Sequence, residues 1–244
     1  SIKLRLLSPR LARFAEANER DFVERGDVDL PGELFAGGEV RYLYRRLSLR
    51  EDYGVQVGEF HSATPSVKNS QNRILGYVAV RLHRKLPHLI LLPRDQVRSS
   101  TIDPAQIHSL EGNFDSYFAL YTPDGFERDA LYVFTPDVMA AMIDNAAAWR
   151  AEIVDDWLIF TRVEPFFHAS ADDFRRAFEL AAAGLELRDQ SKRYSDSRSL
   201  VRDAVSPSGR TLRTRSDRIL LGLIGFTVMI GVPFVQIMIV FFIR

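Results

Sequence analysis

LGYVAVRLHRK (75–85) and PHLILLP (87–93) decide the fold class. Both runs are rich in Val, Ile, Leu and Tyr, and Pro87 stands between them, so the sequence predicts two strands. Upstream, VRYLYRRLSL (40–49) and VQVGEFH (55–61) predict two more, joined by the EDYG turn at 51–54. SATPSVKNSQNR (62–73) reads as a polar hairpin loop. Downstream, Arg150–Val154 and Trp157–Val163 flank Asp155-Asp156 and read as a hairpin. Strands that arrive as hairpins argue for an antiparallel sheet and against a doubly wound nucleotide-binding sheet. QIHSLEGNFDSYFALY (106–121) begins strand-like and turns helical at Phe114–Phe118, and Leu131–Phe134 reads as a short strand.

Helices are signalled at three places. Ser8 and Pro9 open a helix over 8–25, with Gly26 as its stop. Thr135-Pro136-Asp137 supplies a cap, a first-position proline and a dipole-matched acid for a helix to Ala148. Ser170-Ala171-Asp172-Asp173 opens a third. The expectation is an α+β domain, an antiparallel sheet of about five to eight strands with two or three packed helices, plus one C-terminal transmembrane helix.

That last element is ILLGLIGFTVMIGVPFVQIMIVFFI (219–243), without a charged residue. As a helix it reaches about 37 Å, enough for about 30 Å of hydrocarbon. Pro233 predicts a kink. Gly222, Gly225 and Gln236 are the positions open to packing against another helix, although the glycines do not form GxxxG.

The net charge of zero conceals a split. Residues 1–187 hold 22 basic and 28 acidic groups, whereas 188–218 hold nine basic and four acidic. Arg210, Arg213, Arg215 and Arg218 sit just before the apolar run and are the candidate membrane-surface contacts, and only Arg244 follows it. The positive-inside rule then puts the N-terminal domain in the cytoplasm of a single-pass, tail-anchored protein. Lys3, Arg5, Arg10 and Arg13 would also suit the flank of a further span upstream of Ser1. The chain divides into an N-terminal helix and loop (1–39), a cytoplasmic α+β domain (40–187), a basic juxtamembrane neck (188–218) and the span (219–243). The Ser-rich stretch 195–217 reads as a flexible linker. The bilayer explains the basic neck better than nucleic acid does, since aromatic residues are not interleaved with it beyond Tyr194.

Chemistry-bearing motifs are few. There is no cysteine, no phosphate-cradling GxGxxG or GxxxxGK[ST], no GxSxG elbow and no HExxH. No cofactor and no metal ligand set is predicted; His83 and His88, five apart on strands, point to opposite faces. Adjacent carboxylates at Glu51-Asp52, Asp155-Asp156 and Asp172-Asp173 suit turns and caps. His108, Glu111 and Asp115 are the weak catalytic candidates, around Gly112 in a strand–helix junction. The aromatic residues dense over 114–167 suit a core or, alternatively, a groove for a lipid-proximal substrate.

LEGNFDSYFALYTPDGFERDALYVFTPDVMAAMIDNA (110–146), with RLARFAEANERDF (10–22), RKLPHLIL (84–91) and EIVDDWLIF (152–160), resembles a family of uncharacterised actinobacterial membrane-anchored proteins. The resemblance covers about residues 10–195 and implies a bacterial, membrane-anchored chain; it carries no activity, cofactor or catalytic residue. The sequence therefore points to a partner-binding or accessory subunit of a membrane complex, associated with the lipid bilayer and another membrane protein or itself. The alternative is an enzyme or carrier working through 108–134.

Overall fold

The computed structural model describes residues 7–50, 54–64, 71–110, 112–168, 170, 172–199 and 204–215. Helix α1 (Leu7–Ala17) is followed by strands β1 (Phe22–Gly26), β2 (Val40–Arg50), β3 (Val55–Thr64) and β4 (Gln71–Pro93). Then come β5 (Ile107–His108), β6 (Phe118–Tyr121), α2 (Glu127–Val133), α3 (Pro136–Ala146), β7 (Arg150–Arg162) and α4 (Asp172–Ser191). The seven strands form one antiparallel sheet in the order β1-β2-β3-β4-β6-β5, with β7 on the other edge of β4. The α+β class and the antiparallel sheet stand as read from the sequence.

Strand β4 is the spine. It pairs with β3 through residues 71–80, with β6 through 90–93, and with β7 along most of its length. The two strands expected on either side of Pro87 are one. Against β7 the register slips twice, between Arg81 and Leu86 and again between Leu86 and Leu89. Proline lacks the N–H a regular ladder needs, and a bulge tolerates it. Likewise Arg150–Arg162 is one strand and not a hairpin: Asp155, at φ +52°, takes up a bulge while the chain runs on. Both strands change the face their apolar residues occupy at this point. Leu158 and Phe160 pack in the main core with Ala151 and Ile153, although an odd spacing separates the two pairs.

One face of the sheet carries that main core, covered by α1, α3 and α4. Leu7, Leu11 and Ala15 belong to it, so the N-terminal helix is part of the domain. The opposite face holds two smaller apolar clusters. One gathers Leu43, Phe60, Leu75, Tyr77 and Ile159 under Leu30 and Phe35; the other gathers Ile90, Leu92, Ile102, Ala119, Tyr121 and Leu212.

Three local expectations are corrected. The first helix stops at Ala17, because Glu19 adopts φ +53° and Arg20 N–H reaches the Ala15 carbonyl in a Schellman-type closure; Phe22–Gly26 then pairs with β2. Leu131–Phe134 is not a strand: Ala130 and Val133 are buried three apart on α2 while Leu131 and Tyr132 face solvent. Phe114–Ser116 is a single 3-10 turn, and Phe118–Tyr121 beyond it is strand. Thr135 caps α3 as expected.

Among the described residues no helix is long and apolar enough to cross a membrane. The predicted span 219–243, with Gly222, Gly225 and Gln236, lies outside the described residues, as do Arg218 and Glu111.

Candidate functional site

The neck differs most from expectation. Residues 188–191 of it are the last turn of α4, and 196–199 and 204–215 are docked on the domain. Asp196 is buried and accepts from the Ser206 N–H at 2.9 Å, the Arg198 N–H at 3.0 Å and Arg198 Nε at 2.8 Å. Burial opposes its charge, but these donors outweigh burial and hold its carboxyl below the usual range. Arg198 also reaches the Gly125 carbonyl and Asp129, each at 2.6 Å, and lies 3.7 Å over the Phe126 ring. Further on, Arg213 N–H donates to Gln106 Oε1 at 2.7 Å, Asp103 N–H to the Arg213 carbonyl at 2.9 Å, and Arg215 N–H to the Thr101 carbonyl at 2.8 Å. Ile102 and Thr214 bridge antiparallel. Residues 213–215 therefore lie as a short ladder along 101–103.

Of the proposed membrane-surface arginines, Arg213 pairs with Asp124 at 2.8 Å and approaches Asp103 at 3.7 Å. Arg210 Nε donates to the Val205 carbonyl at 2.9 Å, and Arg215 is exposed. The catalytic candidates are not brought together by any contact among the described residues. His108 Nε2 stands 3.8 Å from Glu127 Oε1. The Asp115 carboxylate accepts from the Ser109 hydroxyl and from the Leu110 N–H at 3.1 Å, which closes its own loop. Phe114, Phe118, Phe126 and Phe134 pack inside the main core.

A second polar locus lies between the two smaller apolar clusters. Glu152 is 2% exposed. Its carboxylate meets His88 Nε2 at 3.0 Å, an Arg150 guanidinium nitrogen at 3.0 Å and the Glu33 N–H at 3.1 Å. Burial would raise its pKa; the His88 bond, the Arg150 charge and the Glu33 N–H together bring it below the ordinary value, so the carboxylate is ionised. Gly32, at φ +114°, lets the backbone close on this carboxylate, since a Cβ there would meet Oε1 at 3.3 Å. Arg73 completes the group by donating to the Leu34 carbonyl. Burial, and then the nearby Arg150 charge, lower its pKa. The Nε–H groups of Arg73 and Arg150 are buried and find no acceptor among the described residues. The sequence marked His88 only by its spacing from His83, and no motif marked Glu152 or Arg150. The available signal was an alternating polar residue at 88 and 152 inside apolar strand segments.

Among the described residues no group of three or more His, Asp or Glu is placed to hold a metal ion. What the fold and these loci define is an α+β antiparallel-sheet domain with a docked basic neck and a buried ionic cluster. No family model matches the chain, and no curated protein matches it. Among solved structures it is similar to the crystal structure of the mycobacterial trehalose monomycolate transport factor A, TtfA, with TM-score 0.45 and 14% identity, over 75% of this chain and 96% of that one. A likeness at that level assigns no function.

Proposed function

We propose that the chain is a single-pass, tail-anchored accessory subunit of a membrane complex, with residues 219–243 in the bilayer and the α+β domain on the cytoplasmic side. It belongs, on this reading, with the actinobacterial membrane-anchored proteins it resembles. The observation that supports the reading most is the docking of residues 204–215 immediately before the uncharged run. Four residue steps separate Arg215 from Ile219, a reach of about 14 Å. A span at 219–243 would therefore hold the domain close to the bilayer, with the 101–103 edge leading. An anchored head of this kind presents a fixed surface to a neighbouring membrane protein.

The absence of cysteine makes topology simple to test. Single cysteines are introduced as Ser195→Cys and after Arg244, and intact cells are treated with a membrane-impermeant maleimide. Labelling of the C-terminal cysteine alone, with Ser195→Cys labelled only after lysis, is expected; the reverse pattern, or recovery in the soluble fraction, overturns the anchoring. Mild-detergent purification is expected to recover a stoichiometric membrane partner. Repeated recovery of the chain alone would remove the accessory role.

A further inference from the structure

A cleft of about 220 Å³ opens beside the buried ionic cluster. Arg150 lines it, with Leu34, Leu75 and Leu92 as apolar wall and Val163 at its side. Ser99, Ser100 and Thr101 form a hydroxyl-bearing border. The charged residues that line it are both arginines, Arg150 and Arg162. Arg150 pairs with Glu152 at 3.0 Å and with Glu33 at 3.5 Å, and Arg162 pairs with Glu164 at 3.1 Å; Glu33 is 43% exposed and screened by water. The buried Arg150 Nε–H has no acceptor among the described residues, and such groups normally find a partner.

We propose that this cleft binds a monocarboxylate carried on an apolar stem, with the carboxylate at Arg150 and the stem along Leu34, Leu75 and Leu92. Guanidinium groups match carboxylate geometry, and the leucine wall takes the hydrocarbon. The leucine wall favours an acid that carries a hydrocarbon stem over inorganic phosphate, which carries none. The volume suits a short acid or the head of a longer one. A longer chain would leave past Val163, which is 78% exposed. Thr101, on the border, is also the residue that holds Arg215. On the anchored reading above, the cleft therefore opens near the bilayer, and a fatty acid in the membrane and a short soluble acid both satisfy the chemistry.

The test is calorimetric titration of the full chain in amphipol with hexanoate, hexanol and inorganic phosphate. Arg150→Lys keeps the charge and loses the planar fork. Val163→Trp fills the opening from an exposed position, so it tests the cleft without disturbing the core. Saturable one-to-one hexanoate binding is expected, at least tenfold weaker in each variant, with hexanol and phosphate also at least tenfold weaker. Palmitate supplied in phosphatidylcholine vesicles then distinguishes the sources: competition with hexanoate assigns a bilayer acid, and no competition a soluble one. Absence of hexanoate binding, binding unchanged in Val163→Trp, or equal affinity for hexanol overturns the proposal. The titration reads ligand binding alone, so its failure is distinct from a failure of membrane anchoring.

Discussion

Glu152 illustrates what a single buried charge demands of its surroundings. Its carboxylate is tolerated because His88, Arg150 and the Glu33 N–H all point at it. Removing that negative charge leaves Arg150, whose side chain is 14% exposed, with the more exposed Glu33 at 3.5 Å as its remaining acidic partner among the described residues. Glu152→Gln is therefore expected to destabilise the domain by about 3 kcal/mol at pH 7, in the range found for breaking one side of a buried pair. The pH dependence has a definite sign. The native carboxyl titrates below its unfolded value, so its contribution is complete above the unfolded glutamate pKa near ~4.3 and fades as pH falls through the lower native value. Urea denaturation of wild type and variant should show the gap at pH 7 and its narrowing in acid; a gap that widens in acid would refute the assignment. The residues of this cluster were present in the sequence but carried no motif. His88 and Glu152 lie 64 positions apart, and only strand pairing makes them neighbours.

At the scale of elements, β4 and β7 show how a correct local pattern gives a wrong count. Hydrophobic alternation changes phase at Pro87 in one strand and at Asp155-Asp156 in the other, and each change imitates a turn between two strands. Alternation reports which face a residue occupies, and a bulge reverses the face without ending the strand. The two irregularities lie opposite each other in the ladder, where Leu86 pairs with Asp155. Helix α4 seats on this sheet at Gly184. A Cβ there would come within 2.6 Å of Val80 Cγ2 and 3.4 Å of the Phe160 ring, both wholly buried. Gly184→Ala would gain up to ~1 kcal/mol of helix propensity. Overpacking against two immobile core side chains costs about 1–3 kcal/mol. The net expectation is a loss of about 1 kcal/mol, read as a lower denaturation midpoint at unchanged slope; a stabilised variant would mean that α4 does not press on β4 at this glycine.

At the scale of the molecule, the neutral total charge resolves into an acidic domain and a basic neck. The neck is not a bare electrostatic tail. Composition suggested a linker because 195–217 is Ser-rich and poor in apolar residues. Its docking rests on backbone pairing with 101–103, on Asp196 and Arg198, and on two small apolar contacts, none of which leaves a periodic stripe. Gly209 is the tightest of these contacts: a Cβ there would meet the Phe126 ring at 2.5 Å and Val205 Cγ1 at 2.7 Å. Gly209→Val is therefore expected to lift the neck while the sheet stays folded. Trypsin should then cut at Arg198 and Arg210 about tenfold faster or more, by local opening, with circular dichroism unchanged. Equal cleavage rates would show that the neck is not held at this point.

The sequence by itself determined the class of the fold, the capped helix at Thr135, the polarity of charge along the chain and the uncharged run on which the anchoring proposal rests. These are properties of composition and short-range period, set by backbone geometry and by transfer from water. Tertiary structure decided that four predicted strands are two, that the neck is docked, and that Glu152, His88, Arg150 and Arg73 share one buried locus. Those outcomes depend on register between segments distant in the chain. Register is fixed by which side chains fill a common core, and that information appears only when the segments meet.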